Sequence, residues 1–106
     1  MQKTKIIAEV GPNHNGSLKL AYKLVDIAKD CGADYVKFQT SIPNDHISKF
    51  AKKAKYQIIN TRNKSSQLKM ANKLTLSYSD FIKLNSYCLR KKIKFLSTPF
   101  GLKSII

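Results

Sequence analysis

Glu9 is the only glutamate in a 106-residue chain that carries 18 lysines, and it closes the apolar run Ile6-Ile7-Ala8. A carboxylate in that setting must be paired, hydrogen-bonded or put to use, because burying an unpartnered charge is costly. Directly after it comes Gly11-Pro12-Asn13-His14-Asn15-Gly16, a polar loop with a glycine at each end. Further on, Lys37 and Gln39 alternate with Val36 and Phe38, so both polar side chains point to one face of an extended segment. Ser97 and Thr98 close a third apolar run. An acid, a fixed cation, a carboxamide and a hydroxyl at three strand ends suit a small anionic substrate. Lys37 would hold a phosphate or carboxylate, and Glu9 would bind a hydroxyl or move a proton.

Each of these residues also has a plain structural use. Glu9 and Lys37 would satisfy each other as an ion pair across adjacent strands. Thr98 would cap the backbone ahead of Pro99. Asn13, His14 and Asn15 would stabilise a turn, which asparagine does well. The coincidence of polar groups on three consecutive strand ends favours function. His46 has no neighbour in sequence to work with and reads as a surface histidine.

The elements that must position these groups follow from periodicity. Residues 6–10 read as a short buried strand, stopped by glycine and proline. Leu18, Ala21, Leu24, Val25, Ala28 and Cys31 follow helical spacing, with Asn15 or Ser17 as cap and Gly32 as stop. Residues 35–40 form a second strand, and the helix between the two is long enough to cross back over a sheet. Residues 41–65 are polar, lysine-rich and aperiodic, longer than a typical strand-to-helix loop. A short helix follows over 67–74. Ser77 with Asp80 resembles a capping box and opens a helix through Phe81, Leu84 and Cys88. Residues 93–98 are a third strand ended by Pro99, and 101–106 look like the start of another helix. Alternating βα units imply a parallel sheet, either doubly wound or part of a (β/α)8 barrel. Both place their chemistry at the carboxyl ends of the strands.

Composition bounds the rest. The length allows one small domain, and 42% hydrophobic with 25% charged residues is ordinary for a globular chain. No stretch approaches the roughly 20 apolar residues of a membrane span, and the N-terminus is too short in apolar residues for a signal-peptide core; a cytoplasmic protein is expected. Cys31 and Cys88 match no metal spacing and read as reduced thiols in helix packing. The net charge of +14 invites a nucleic-acid partner. Only Arg62 and Arg90 are arginine, however, and base readout favours arginine. Spread lysines read as solvated faces, so no specific nucleic-acid partner is expected, although a small basic polyanion-binding module stands as an alternative.

Three motifs, Ile6-Ile7-Ala8-Glu9-Val10-Gly11-Pro12-Asn13-His14-Asn15-Gly16, Gly32-Ala33-Asp34-Tyr35-Val36-Lys37-Phe38-Gln39-Thr40 and Phe95-Leu96-Ser97-Thr98-Pro99-Phe100, resemble the N-terminal part of sialic acid synthases. That family includes N-acetylneuraminate synthase and the legionaminate synthases. The resemblance extends through Lys53-Ala54-Lys55-Tyr56-Gln57, Asn60-Thr61 and Ser66-Gln67-Leu68.

The resemblance implies a (β/α)8 TIM barrel, of which residues 1–106 would supply the first three βα units. It implies condensation of phosphoenolpyruvate with an N-acetylated hexosamine such as N-acetylmannosamine or a diacetamido relative, with release of phosphate. A divalent metal, manganese or magnesium, and a homodimer belong to the family pattern. By motif, Glu9 is the strand-one acid, Lys37 and Gln39 the strand-two pair, Asn60 the loop asparagine that reaches the site, and Thr98 the strand-three hydroxyl at the phosphoenolpyruvate carboxylate. Asn13 and His14 are possible loop contacts. Gly101 stands where the family commonly has aspartate. A whole barrel needs about 250 residues, and the family's metal-binding histidines lie beyond this stretch. The chain alone is therefore expected to be inactive, and a fragment that assembles with another chain is a further alternative.

Overall fold

In a computed structural model, the structure describes residues 2–62 and 65–105. Three parallel strands, β1 (Ile7–Glu9), β2 (Tyr35–Ser41) and β3 (Lys94–Phe100), lie side by side in the order β1-β2-β3. Helix α1 (Leu18–Asp30) connects the first two. Between β2 and β3 come α2 (Lys55–Thr61), α3 (Gln67–Leu74) and α4 (Tyr78–Lys91).

The local signals act as their chemistry requires. Ser17 caps α1, its Oγ accepting from the Leu20 amide, and Gly32 follows the helix at φ +83°. Ser77 and Asp80 form a reciprocal capping box at the start of α4. Ala21, Val25 and Ala28 of α1 then pack with Phe81, Leu84 and Cys88 of α4 against Val36 and Phe38 of β2. Tyr87 Oη donates to Asp26 Oδ1 at 2.7 Å and ties α4 to α1. Both helices therefore cover one face of the sheet, and the strand order never reverses. That is the arrangement of a barrel wall rather than of a doubly wound sheet.

Several sequence expectations are corrected. The first strand is not buried: Ile6 and Ile7 are 55% and 52% exposed. Ile7 lies on the face opposite the helices, where no described element covers it. The third strand does not stop at Pro99, which pairs in register with Thr40. Because β3 is an outer strand of this sheet, a residue without an N–H is accommodated there. Residues 41–65 are not aperiodic throughout, since they hold a 3₁₀ turn (Pro43–Asp45) and α2. Cys31 is exposed rather than packed, whereas Cys88 is buried. The tail contributes a single 3₁₀ turn, Leu102–Ser104. Among the described residues, no helix is long and apolar enough to cross a membrane.

Candidate functional site

Register decides which side chains share the uncovered face. Glu9 pairs with Lys37 and Lys37 with Leu96, while Gln39 pairs with Thr98. Partners in a parallel pair point the same way and alternate residues return to the same face. Glu9, Lys37, Gln39 and Thr98 therefore lie together on the open side, Glu9 at the end of β1 and the others within β2 and β3, two to four residues before their ends. With strands about 4.8 Å apart and a rise of about 3.3 Å per residue, their backbones fall within roughly 12 Å of one another. Ser97 points the other way, and its hydroxyl is hydrogen-bonded to that of Thr40.

The acid and the cation are joined. Lys37 Nζ lies 2.8 Å from Glu9 Oε2, and Glu9 Oε1 accepts from the Gly11 amide at 3.2 Å. The ion pair anticipated as the plain structural use is thus formed. It does not exhaust the site. The side chains remain 34% and 42% exposed, and an ammonium has three donors, of which the carboxylate takes one. Two N–H groups of Lys37 stay available to an arriving anion.

The loop after β1 is held over β2 by close approach. A Cβ on Gly11 would stand 2.9 Å from the Gln39 amide nitrogen, so only glycine lets the backbones meet there. Gln39 Nε2 donates to Gly11 O at 3.2 Å, which leaves Gln39 Oε1 free of that bond. His14 is buried, 2% exposed, and stacks on Phe38 with centroids 6.0 Å apart. Its Nδ1 accepts from the Gly16 amide at 3.0 Å, so the ring is neutral with its proton on Nε2. Burial pushes its pKa below the ordinary value. His14 is thus both the turn-former and a group at the edge of the site, whereas Asn13 is exposed. Asn60 is exposed on α2.

A cavity of about 280 Å³ opens beside the strand ends, and it touches the four-residue cluster through Gln39 alone. Gln57 of α2 and Gln67, Met70 and Leu74 of α3 line the cavity, as do His46 and Phe100. Sequence reasoning did not single these out as functional. His46, read as a lone surface histidine, is exposed but lies 6.0 Å from the Phe100 ring. Only the unusual length of the 41–65 segment hinted that it does more than connect. Among the described residues, no three of His, Cys, Asp or Glu gather closely enough to hold a metal ion, so these residues do not by themselves make a metal centre.

Comparison with known proteins bears on the family and the fold. The NeuB family profile matches residues 24–106. The chain is 51% identical over 105 residues to an N,N'-diacetyllegionaminic acid synthase of Campylobacter jejuni, covering 99% of this chain and 31% of that protein. It is 45% identical over 100 residues to the protein of the same name in Legionella pneumophila, covering 94% of this chain and 28% of that protein. The chain thus spans about a third of these relatives' length. Among solved structures, an N-acetylneuraminic acid (sialic acid) synthetase from Leptospira borgpetersenii, in complex with citrate, superposes with a TM-score of 0.73 at 27% identity. That match covers 98% of this chain and 32% of the other, and the three parallel strands are those of an incomplete barrel.

Proposed function

This chain belongs to the NeuB family, and from that premise we propose that its residues form the N-terminal portion of the barrel domain of a cytoplasmic synthase. The reaction joins phosphoenolpyruvate to the aldehyde of an N-acetylated hexosamine, gives a nine-carbon keto-acid sugar and releases phosphate. A diacetamido hexose is the favoured acceptor, in keeping with the names of the two similar synthases.

The observation that carries this proposal is the sharing of one open face of the parallel sheet by Glu9, Lys37, Gln39 and Thr98. Lys37 presents its two spare N–H groups to the phosphate or carboxylate of phosphoenolpyruvate, and the Thr98 hydroxyl donates to the carboxylate. The enol carbon of phosphoenolpyruvate attacks the aldehyde carbon, and the carbonyl electron pair moves to oxygen, which takes up a proton. Water adds at the phosphate-bearing carbon, and loss of inorganic phosphate leaves the keto acid. Glu9, anchored by the Gly11 amide and by Lys37, holds or moves a proton at the acceptor hydroxyl or aldehyde oxygen. The groups that complete the site come from polypeptide outside these residues.

The test is a chimera in which residues 1–106 replace the matching N-terminal third of the Campylobacter jejuni relative. Phosphate release from phosphoenolpyruvate and a diacetamido hexose is the readout. The chimera turns over, residues 1–106 alone do not, and Lys37→Met or Glu9→Gln lowers kcat/KM by about 100-fold or more. Full activity in either variant overturns the assigned roles.

A further inference from the structure

Charge is segregated along this chain. Eight of the 20 basic residues, and none of the six acidic ones, fall between positions 46 and 79. A stretch of one sign makes a field, where mixed signs would cancel. The same stretch borders the site. It includes α2 and α3, whose Gln57, Gln67, Met70 and Leu74 line the cavity shared with Gln39. Lys69 and Lys73 are next in sequence to Met70 and Leu74, and Lys55 stands two positions before Gln57. Their backbones therefore lie within about 6 Å of that wall. Lys49 and Lys52 line a second hollow, of about 360 Å³, together with Ile58 of α2. All five of these lysines are exposed.

The groups at the site supply no such field. Glu9 and Lys37 are paired at 2.8 Å and cancel each other at a distance. No lysine, arginine, aspartate or glutamate lines the cavity beside Gln39. Asp45, in the turn after β2, is paired with Lys103 at 3.4 Å. We infer that the exposed lysines of the α2–α3 segment form an electrostatic collar, which draws a multiply charged anion toward Lys37 without themselves binding it. The inference rests on the proposed synthase reading for the identity of that anion, phosphoenolpyruvate, but not for the field. Steering of this kind raises association by about 10-fold to 1,000-fold. It acts over a Debye length, about 30 Å at 10 mM salt and about 3 Å at 1 M. The collar therefore reaches Lys37 in dilute salt and is silent in concentrated salt. Because only charge matters, arginine serves as well as lysine.

The experiment is calorimetric titration of the chimera defined above with phosphoenolpyruvate and, separately, with inorganic phosphate, at about 10 mM and about 1 M salt. The parent is compared with a variant in which Lys49, Lys52, Lys55, Lys69 and Lys73 are all changed to glutamine, and with one in which the same five are changed to arginine. The glutamine variant is expected to bind phosphoenolpyruvate roughly tenfold more weakly than the parent in dilute salt, and within about twofold of it at 1 M. That parity in concentrated salt also shows the variant to be folded. The arginine variant follows the parent in both. Equal affinities in dilute salt, a loss that persists at 1 M, or a loss in the arginine variant overturns the collar. Phosphoenolpyruvate binding that ignores these lysines sinks the collar and leaves the synthase reading standing. Phosphate binding that follows the predicted pattern, with no preference for phosphoenolpyruvate, does the reverse. Binding of neither anion sinks both.

Discussion

Replacing Gly16 by alanine tests how the loop after β1 is seated. Gly16 has φ +75°, and a Cβ there would stand 2.4 Å from the carbonyl oxygen of Lys73, in the last turn of α3. Ordinary contacts begin near 3.4 Å, so loop and helix end must separate by about 1 Å. The left-handed backbone costs an alanine about 1–2 kcal/mol, and forcing apart two packed backbones costs about 1–3 kcal/mol more. Gly32 is the internal control: its φ is +83°, but nothing lies within 4 Å of its Cβ position. Gly32→Ala therefore carries only the backbone cost. Urea denaturation followed by circular dichroism should show Gly16→Ala destabilised by about 2–5 kcal/mol and Gly32→Ala by about 1–2 kcal/mol. Equal losses in the two variants would refute the contact between the loop and α3. The seating of the cavity wall against the strand ends would fall with it.

His14 gives a pH signature. Its folded pKa lies below the ordinary 6.5 because burial disfavours the charged ring. Its contribution is fully present above about pH 6.5 and is lost as pH falls through the lower folded value. Unfolding free energy measured from pH 7.5 to 4.5 should therefore decline on the acid side, and His14→Gln should flatten part of that decline; an unchanged slope would contradict it. The two thiols should separate by reactivity. Cys31 is exposed, whereas burial pushes the Cys88 thiol up to about 11. An alkylating reagent at pH 8 should modify Cys31 within minutes and Cys88 only with unfolding, and comparable rates would contradict the buried position of Cys88.

Much of this arrangement is legible in the residues, and the rest is hidden for identifiable reasons. The β1-α1-β2 unit reads directly because Ser17 and Gly32 mark the helix ends and the apolar stripe between them is complete. The capping box at Ser77 and Asp80 marks α4 equally well. Helix α2 is hidden: Ala54, at its N-cap, has no side-chain acceptor, and none of the helix's residues is buried. Its start is marked only by Gln57 reaching back to the Ala54 amide. The exposure of Ile7 is hidden too, because an apolar run looks the same whether one face or both are covered. The polar residues at the strand ends are visible through period-two alternation, which also separates Thr98 from Ser97. The cavity beside Gln39 is not, since it draws on Gln39, Gln57, Gln67 and Phe100, brought together only by the fold.

The central claim is that Lys37, Gln39 and Thr98, with Glu9 behind the lysine, serve one anion at the ends of three parallel strands. The most direct measurement is an NMR titration of the isotopically labelled chain with phosphoenolpyruvate, following the Lys37 ammonium, the Gln39 side-chain amide and the Thr98 amide together. The account predicts that all three respond along a single binding curve and that Lys37→Met abolishes it. Three unrelated curves, or binding that persists undiminished in Lys37→Met, would contradict it.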